Sequence, residues 1–189
     1  YWPETYVVNG GTIDAGGNSL TMYNVAATLN RSQTITMTGG TITNGTLGMS
    51  PPSADYVLLS TKASAETARV FADIVLGGWR SAIDVEDGSA IVDLDISGGV
   101  KGTLVFRKTG AGVLALTSPV GGTVYKSGYT HYVDAGTLLV DNVSGTGTGS
   151  NGVTVAGGAT LGGTGRIYGF QNQAHVTLTG TSESLLAAI

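Results

Sequence analysis

The chain contains no cysteine, so no disulfide can staple it, and its 189 residues are enough to bury a core without one. A reduced compartment would explain the absence. So would passage across a periplasm in the unfolded state, where stray oxidation would trap the chain. Charge is nearly as scarce. Only 12% of residues are charged, about half the roughly 25% of an ordinary soluble domain, so Thr, Ser, Asn and Gly must cover most of the surface. Nine Lys and Arg against thirteen acids give a net charge of −4. That leaves no basic field to hold a phosphate backbone by counterion release, and nucleic acid is not an expected partner. No apolar run approaches the ~18 residues of a membrane span, and no charged, apolar, small-residue leader opens the chain. It begins on Tyr1 and ends on the apolar run Leu185-Leu186-Ala187-Ala188-Ile189. An uncapped apolar end is an exposed liability, so a segment of a longer protein is expected.

Helical periodicity is missing as well. The best candidate, Ser64-Ala65-Glu66-Thr67-Ala68, could form one capped turn but is too short to stand alone in water.

What is present in excess is glycine: 31 residues, about twice the count that average usage near 7% would give. It recurs in a turn-then-strand phrase. The phrase reads Gly10-Gly11-Thr12-Ile13, Gly39-Gly40-Thr41-Ile42, Gly102-Thr103-Leu104, Gly136-Thr137-Leu138 and Gly158-Ala159-Thr160-Leu161, at spacings of 29, 62, 34 and 22 residues. These lie in the range of solenoid repeats, with 62 covering two coils and insertions accounting for the scatter. Between the glycines stand short alternating strings. In Leu29 to Thr38, Ile35 and Met37 fall on one side and Thr34, Thr36 and Thr38 on the other, the period of a strand with one buried face. Similar strings occupy Tyr6-Val7-Val8, Tyr56 to Leu59, Val70 to Leu76, Ala90 to Ile96, Thr103 to Arg107, Val113 to Leu116, Val153 to Ala156 and Val176 to Thr179.

Many short strands with glycine turns suit a sandwich, a barrel or a solenoid. The recurrence at one coil, not at 8 to 12 residues, selects an all-β, right-handed parallel β-solenoid. About seven coils of ~25 residues, stacked at ~4.8 Å, would give a rod on the order of 35 Å. Glycine turns the corners, where positive φ costs it nothing, and the β-branched Thr suits pleated strands while its hydroxyl meets water or the next coil.

The phrase Lys108-Thr109-Gly110-Ala111-Gly112-Val113-Leu114-Ala115-Leu116 is followed after a loop by Val133-Asp134-Ala135-Gly136-Thr137-Leu138-Leu139-Val140. This succession resembles the autotransporter-associated β-strand repeat of bacterial surface proteins. Residues 152 to 167, from Gly152-Val153-Thr154-Val155 to Gly165-Arg166-Ile167, look like the coil that commonly follows it. The resemblance covers residues 96 to 169. It implies a right-handed parallel β-helix exported to a Gram-negative cell surface or released, and it brings no catalytic residues. Two departures stand out. The loop Thr117 to Tyr132 is longer than the family's, and residues 50 to 80 match poorly, with Pro51-Pro52 interrupting the coil. One continuous domain is therefore expected: looser coils over 1–95, irregular near 50–80, and repeat-like coils over 96–189.

Chemistry has few places to reside. The acidic cluster Asp84, Glu86, Asp87, Asp93 and Asp95 is the best candidate for calcium or for acid–base work on a polysaccharide. Asp93 and Asp95 alternate with Val92, Leu94 and Ile96, so both leave one strand face. Any solvated strand shows the same pattern. A lyase or hydrolase would need these carboxylates to converge with a base such as Arg80 or Lys101. His131 and His175 lie in different coils without further ligands at zinc spacing, and are expected in loops or at the surface. No Gly-x-Ser-x-Gly elbow occurs, and Gly162-Gly163-Thr164-Gly165 lacks the Lys and helix of a phosphate loop. Tyr125, Tyr129, His131 and Tyr132 in the long loop, with Trp79 at a glycine corner, form the candidate contact surface for sugars or a partner protein; covering the solenoid's flank is the plainer role for them. No cofactor is implied. The expected function is a structural or adhesive stalk meeting copies of itself, surface proteins or glycans. A polysaccharide-active enzyme and a carbohydrate-binding module are the alternatives.

Overall fold

Alternation of period two gives each segment one apolar face, and this chain buries those faces by coiling forward. The computed structural model describes residues 4–22, 33–49, 56–76, 80–102, 106–118, 130–149, 152–167, 176–179 and 185–187. Among them there are twenty strands and no helix. The first coil holds β1 (Glu4–Asn9), β2 (Thr12–Asp14) and β3 (Ser19–Met22). The second holds β4 (Gln33–Thr38), β5 (Thr41–Thr43) and β6 (Thr46–Met49), and the third β7 (Tyr56–Thr61), β8 (Ala68–Val70) and β9 (Asp73–Leu76). β10 (Arg80–Val85), β11 (Leu94–Ile96) and β12 (Val100–Gly102) make the fourth. Four two-strand coils follow: β13 (Phe106–Thr109) with β14 (Val113–Leu116), β15 (Thr130–Val133) with β16 (Thr137–Val140), β17 (Gly152–Val155) with β18 (Thr160–Gly162), and β19 (Val176–Leu178) with β20 (Leu185–Ala187).

Corresponding strands stack in parallel. One eight-stranded sheet runs β1-β4-β7-β10-β13-β15-β17-β19, a second runs β2-β5-β8-β11-β14-β16-β18-β20, and a four-stranded third, β3-β6-β9-β12, flanks the first four coils. The fold is a parallel β-solenoid of one chain, and at about 4.8 Å per step eight strands stack to about 35 Å. Register shows the coil length directly. Gln33, Val57, Ser81 and Phe106 follow one another in one column of the first sheet, as do His131, Val153 and Val176 farther along, at steps of 22 to 25 residues.

Several sequence expectations change once this register is known. Gly102-Thr103 is not the same corner as the other glycine phrases, because Gly102 ends β12. The matching corner in that coil is Gly110-Ala111-Gly112, between β13 and β14, and the 62-residue gap disappears. The string Val70 to Leu76 breaks into β8 and β9 at Phe71-Ala72, where Phe71 is 50% exposed and Ala72 is buried. Of Ala90 to Ile96 only Leu94–Ile96 is strand. Residues 90 to 93 belong to a corner loop that stacks on the loop below it through Ser89 and Ala90 N–H groups donated to the Ser64 carbonyl. At Ser64 the hydroxyl accepts the Glu66 N–H at 3.0 Å, a local turn that replaces the helical start. The third coil occupies residues 56–76, inside the stretch expected to be irregular; Pro51-Pro52 lies outside the described residues.

The interior is built of columns. Ile42, Val70, Ile96, Leu116 and Val140 stack in the second sheet, beside Ala68, Leu94, Leu114, Leu138 and Leu161, all buried. Each such leucine or isoleucine contributes about 1.5–3 kcal/mol by leaving water. The coils approach closely enough at their corners to exclude a methyl group. A Cβ on Gly136 (φ +64) would stand 2.5 Å from the carbonyl oxygens of Gly110 and Gly112, and one on Gly110 (φ +74) 2.3 Å from that of Val85. Gly10 has a similar φ of +70 with nothing within 4 Å. Gly10→Ala should therefore cost only the left-handed strain, about 1–2 kcal/mol, whereas Gly136→Ala must also push two backbones apart and cost clearly more. Urea midpoints of the two variants check this, and equal losses would contradict the corner stack.

Candidate functional site

On the outside, polar side chains reach the next coil. Thr36 and Ser60 hydroxyls meet at 3.0 Å, Thr109 donates to Asp84 at 2.7 Å, and Thr117 donates to Asp95 at 2.5 Å. Lys62 pairs with Glu86, Lys101 with Asp73, and Arg107 forks onto both oxygens of Asp134 at 2.6 and 2.8 Å. Asp141 accepts the Thr164 N–H at 2.8 Å. The two members of each contact stand 22 to 28 residues apart, one coil. The bond to Lys62 holds the Glu86 carboxyl below its ordinary range and raises the lysine in return. Exposed pairs of this kind contribute ~0–1 kcal/mol each, so their main effect is to fix which residue faces which.

That use of carboxylates decides what the acidic cluster can do. Asp93 is 5% exposed, and its two oxygens accept the Gly88 and Val113 N–H groups, both at 2.8 Å. Asp95 stands on the outer face of β11 and is taken by Thr117. Asp84 faces Thr109 on another sheet, Glu86 faces Lys62, and Asp87 is exposed. Lys101 serves Asp73 on the third sheet, and Arg80 begins β10. The carboxylates are thus spent on separate partners, and among the described residues no three His, Asp or Glu stand together to hold a metal ion.

The aromatic surface divides in the same way. Tyr125, Tyr129 and Trp79 lie outside the described residues, as does His175. Tyr132 and His131 are neighbours on β15 and leave opposite faces, as strand pleating requires. Tyr132 is on the outer face with the Arg107 guanidinium 4.5 Å from its ring centroid, a cation–π contact. His131, expected at the surface, is 0% exposed; it stacks on Phe106 with ring centroids 4.5 Å apart.

Lys108 is the residue the sequence reading passed over. It is 0% exposed, in the interior column between Ile83 and Val133. Its ammonium donates to the carbonyls of Thr109, Gly110 and Ala135 at 2.8, 2.7 and 3.0 Å, which uses all three of its protons. Burial lowers its pKa to about 8, against the attraction of Asp84 and Asp93. The signal was there: Phe106 points inward, so two residues on Lys108 must as well.

Two shallow depressions mark the exterior. One, of about 280 Å³, lies on the second sheet between Thr67, Arg69, Ile91, Asp95, Thr117 and Asp141, with Ile91 93% exposed at its rim. The other, of about 570 Å³, is formed by residues 142–145 and 164–167, including Asn142, Ser144, Thr164 and Arg166. Each presents hydroxyls or amides beside one guanidinium, a surface able to bond a polar chain without enclosing it. No family model, curated protein or solved structure matches the chain.

Two outcomes test this geometry. The folded-state pKa of Lys108 lies below the ordinary 10.5. The unfolded chain therefore holds the extra proton between about 8 and 10.5, and the unfolding free energy rises with pH there, by up to ~1.4 kcal/mol per unit. Lys108→Met should flatten that rise in urea titrations from pH 7.5 to 10.5. Millimolar calcium should leave the melting temperature where EDTA leaves it, because both Asp93 oxygens already accept backbone N–H groups. A calcium-dependent increase would show a site that these contacts do not explain.

Proposed function

We propose that the chain is a non-catalytic stalk segment of an extracellular bacterial surface protein, a rod whose work is reach and display. The carrying observation is that the charged and hydroxylated side chains of the exterior are engaged coil to coil, which spends them on stacking and leaves no convergent reactive group. The residues that resemble the autotransporter-associated repeat support the same reading. They fall in three consecutive coils, at β13–β14, β15–β16 and β17–β18. Contacts with other copies, with surface proteins or with glycans would be made by the outer depressions and by loops between coils, where Tyr132 and its neighbours Tyr125 and Tyr129 belong to one segment of the chain.

Surface placement has a direct check. Antibodies raised against the chain should label intact, unpermeabilised cells that make the parent protein, and externally added protease should remove that label. Labelling only after permeabilisation would overturn the extracellular reading.

A further inference from the structure

The joint between the fifth and sixth coils differs from the others in this sheet. Between β13 and β15 the described residues in ladder register are Arg107 opposite Tyr132 and Lys108 opposite Val133, whereas the other neighbours in the sheet hold three to six such pairs. The third sheet has ended one strand earlier, at Gly102, so it does not brace this joint. Here a side chain takes over from the backbone: the Phe106 N–H donates to Nδ1 of His131 at 3.3 Å. The imidazole is fully buried and lies on the Phe106 ring. It can accept that N–H only while Nδ1 carries no proton.

We propose that the β13–β15 joint is an acid-release seam: proton uptake by His131 removes the acceptor for Phe106 and places a charge in the apolar interior, so the coils from β15 onward loosen from those before it. The surroundings offer the charged ring no relief. Among the described residues, β17 presents Val153, Thr154 and Val155, and β14 and β16 present aliphatic side chains inward. Arg107, Tyr132 and Asp134 engage one another on the outer face, and Asp141 accepts from Thr164. The other cation facing the interior, Lys108, carries the same sign. Burial accordingly lowers the ring's pKa to about 4, although a hydrogen bond to the Thr148 backbone pulls the other way.

The sign follows from these values. The unfolded chain protonates His131 near 6.5 and the folded one near 4, so between those values the opened state binds the extra proton. The equilibrium for opening then rises by up to about tenfold for each unit the pH falls. Hydrogen exchange of the whole chain, corrected for intrinsic pH dependence, reads this coil by coil. Amides of β15 to β18 should lose protection from pH 6.5 to 4 while those of β4, β7 and β10 keep theirs. His131→Gln, which keeps an acceptor and does not titrate, should flatten that dependence. Simultaneous loss in all coils, or an unchanged dependence in His131→Gln, would overturn the proposal. Should that variant fail to fold, the imidazole resonances of the unmodified chain decide instead. A ring neutral down to about pH 4 is expected, and one titrating near 6.5 in the folded chain would sink the seam.

Discussion

Parallel register at one coil is the constraint on which everything else in this structure rests. Once β4 lies on β1 and each later strand on its predecessor, the neighbour of any side chain is the residue one coil away, whatever its distance in sequence. Apolar columns such as Leu94-Leu114-Leu138-Leu161 follow from that single rule, and so do the pairs Lys62–Glu86, Lys101–Asp73 and Arg107–Asp134. The backbone ladders leave few polar main-chain groups unmade along the shaft, which is why so weakly charged an exterior suffices.

The same rule exposes any residue that breaks a column. Lys108 and His131 do so in adjacent coils of one sheet, and each is accommodated by backbone partners: three carbonyls for the ammonium, one N–H for the imidazole. Their chemistry pulls in opposite directions. The lysine loses its charge on the alkaline side and the histidine gains one on the acid side, so this part of the rod is most at ease near neutrality. Both sit just beyond the last strand of the third sheet, where fewer ladders share the load.

Nothing on the exterior gathers reactive groups. Asp93 shows why an acidic cluster in a sequence need not be a site. Its carboxylate supplies acceptors for two N–H groups at a corner where loops from successive coils meet, and a ligand would have to displace both. Asp95, two residues on, answers a different partner in the next coil. Tyr132 likewise has a local use, since Arg107 covers its ring while pairing with Asp134.

The fold was legible in the sequence because its two determinants are local. Alternation over Gln33–Thr38 sets the buried face, and glycines at Gly10, Gly39, Gly136 and Gly158 set corners. The inward direction of Lys108 could have been read from Phe106 by the same count of two. What no local pattern could supply was which corner faces which: Gly102-Thr103 looks like Gly136-Thr137 but lies at the end of β12, and only stacking separates them. The fates of the polar residues were equally remote, since Asp93 finds Val113 and His131 finds Phe106 across 20 and 25 residues. Sequence by itself determined a coiled, apolar-cored β rod, because period and glycine act residue by residue. Tertiary structure alone decided which carboxylates are spent and which histidine is buried, because those depend on the coil above and the coil below.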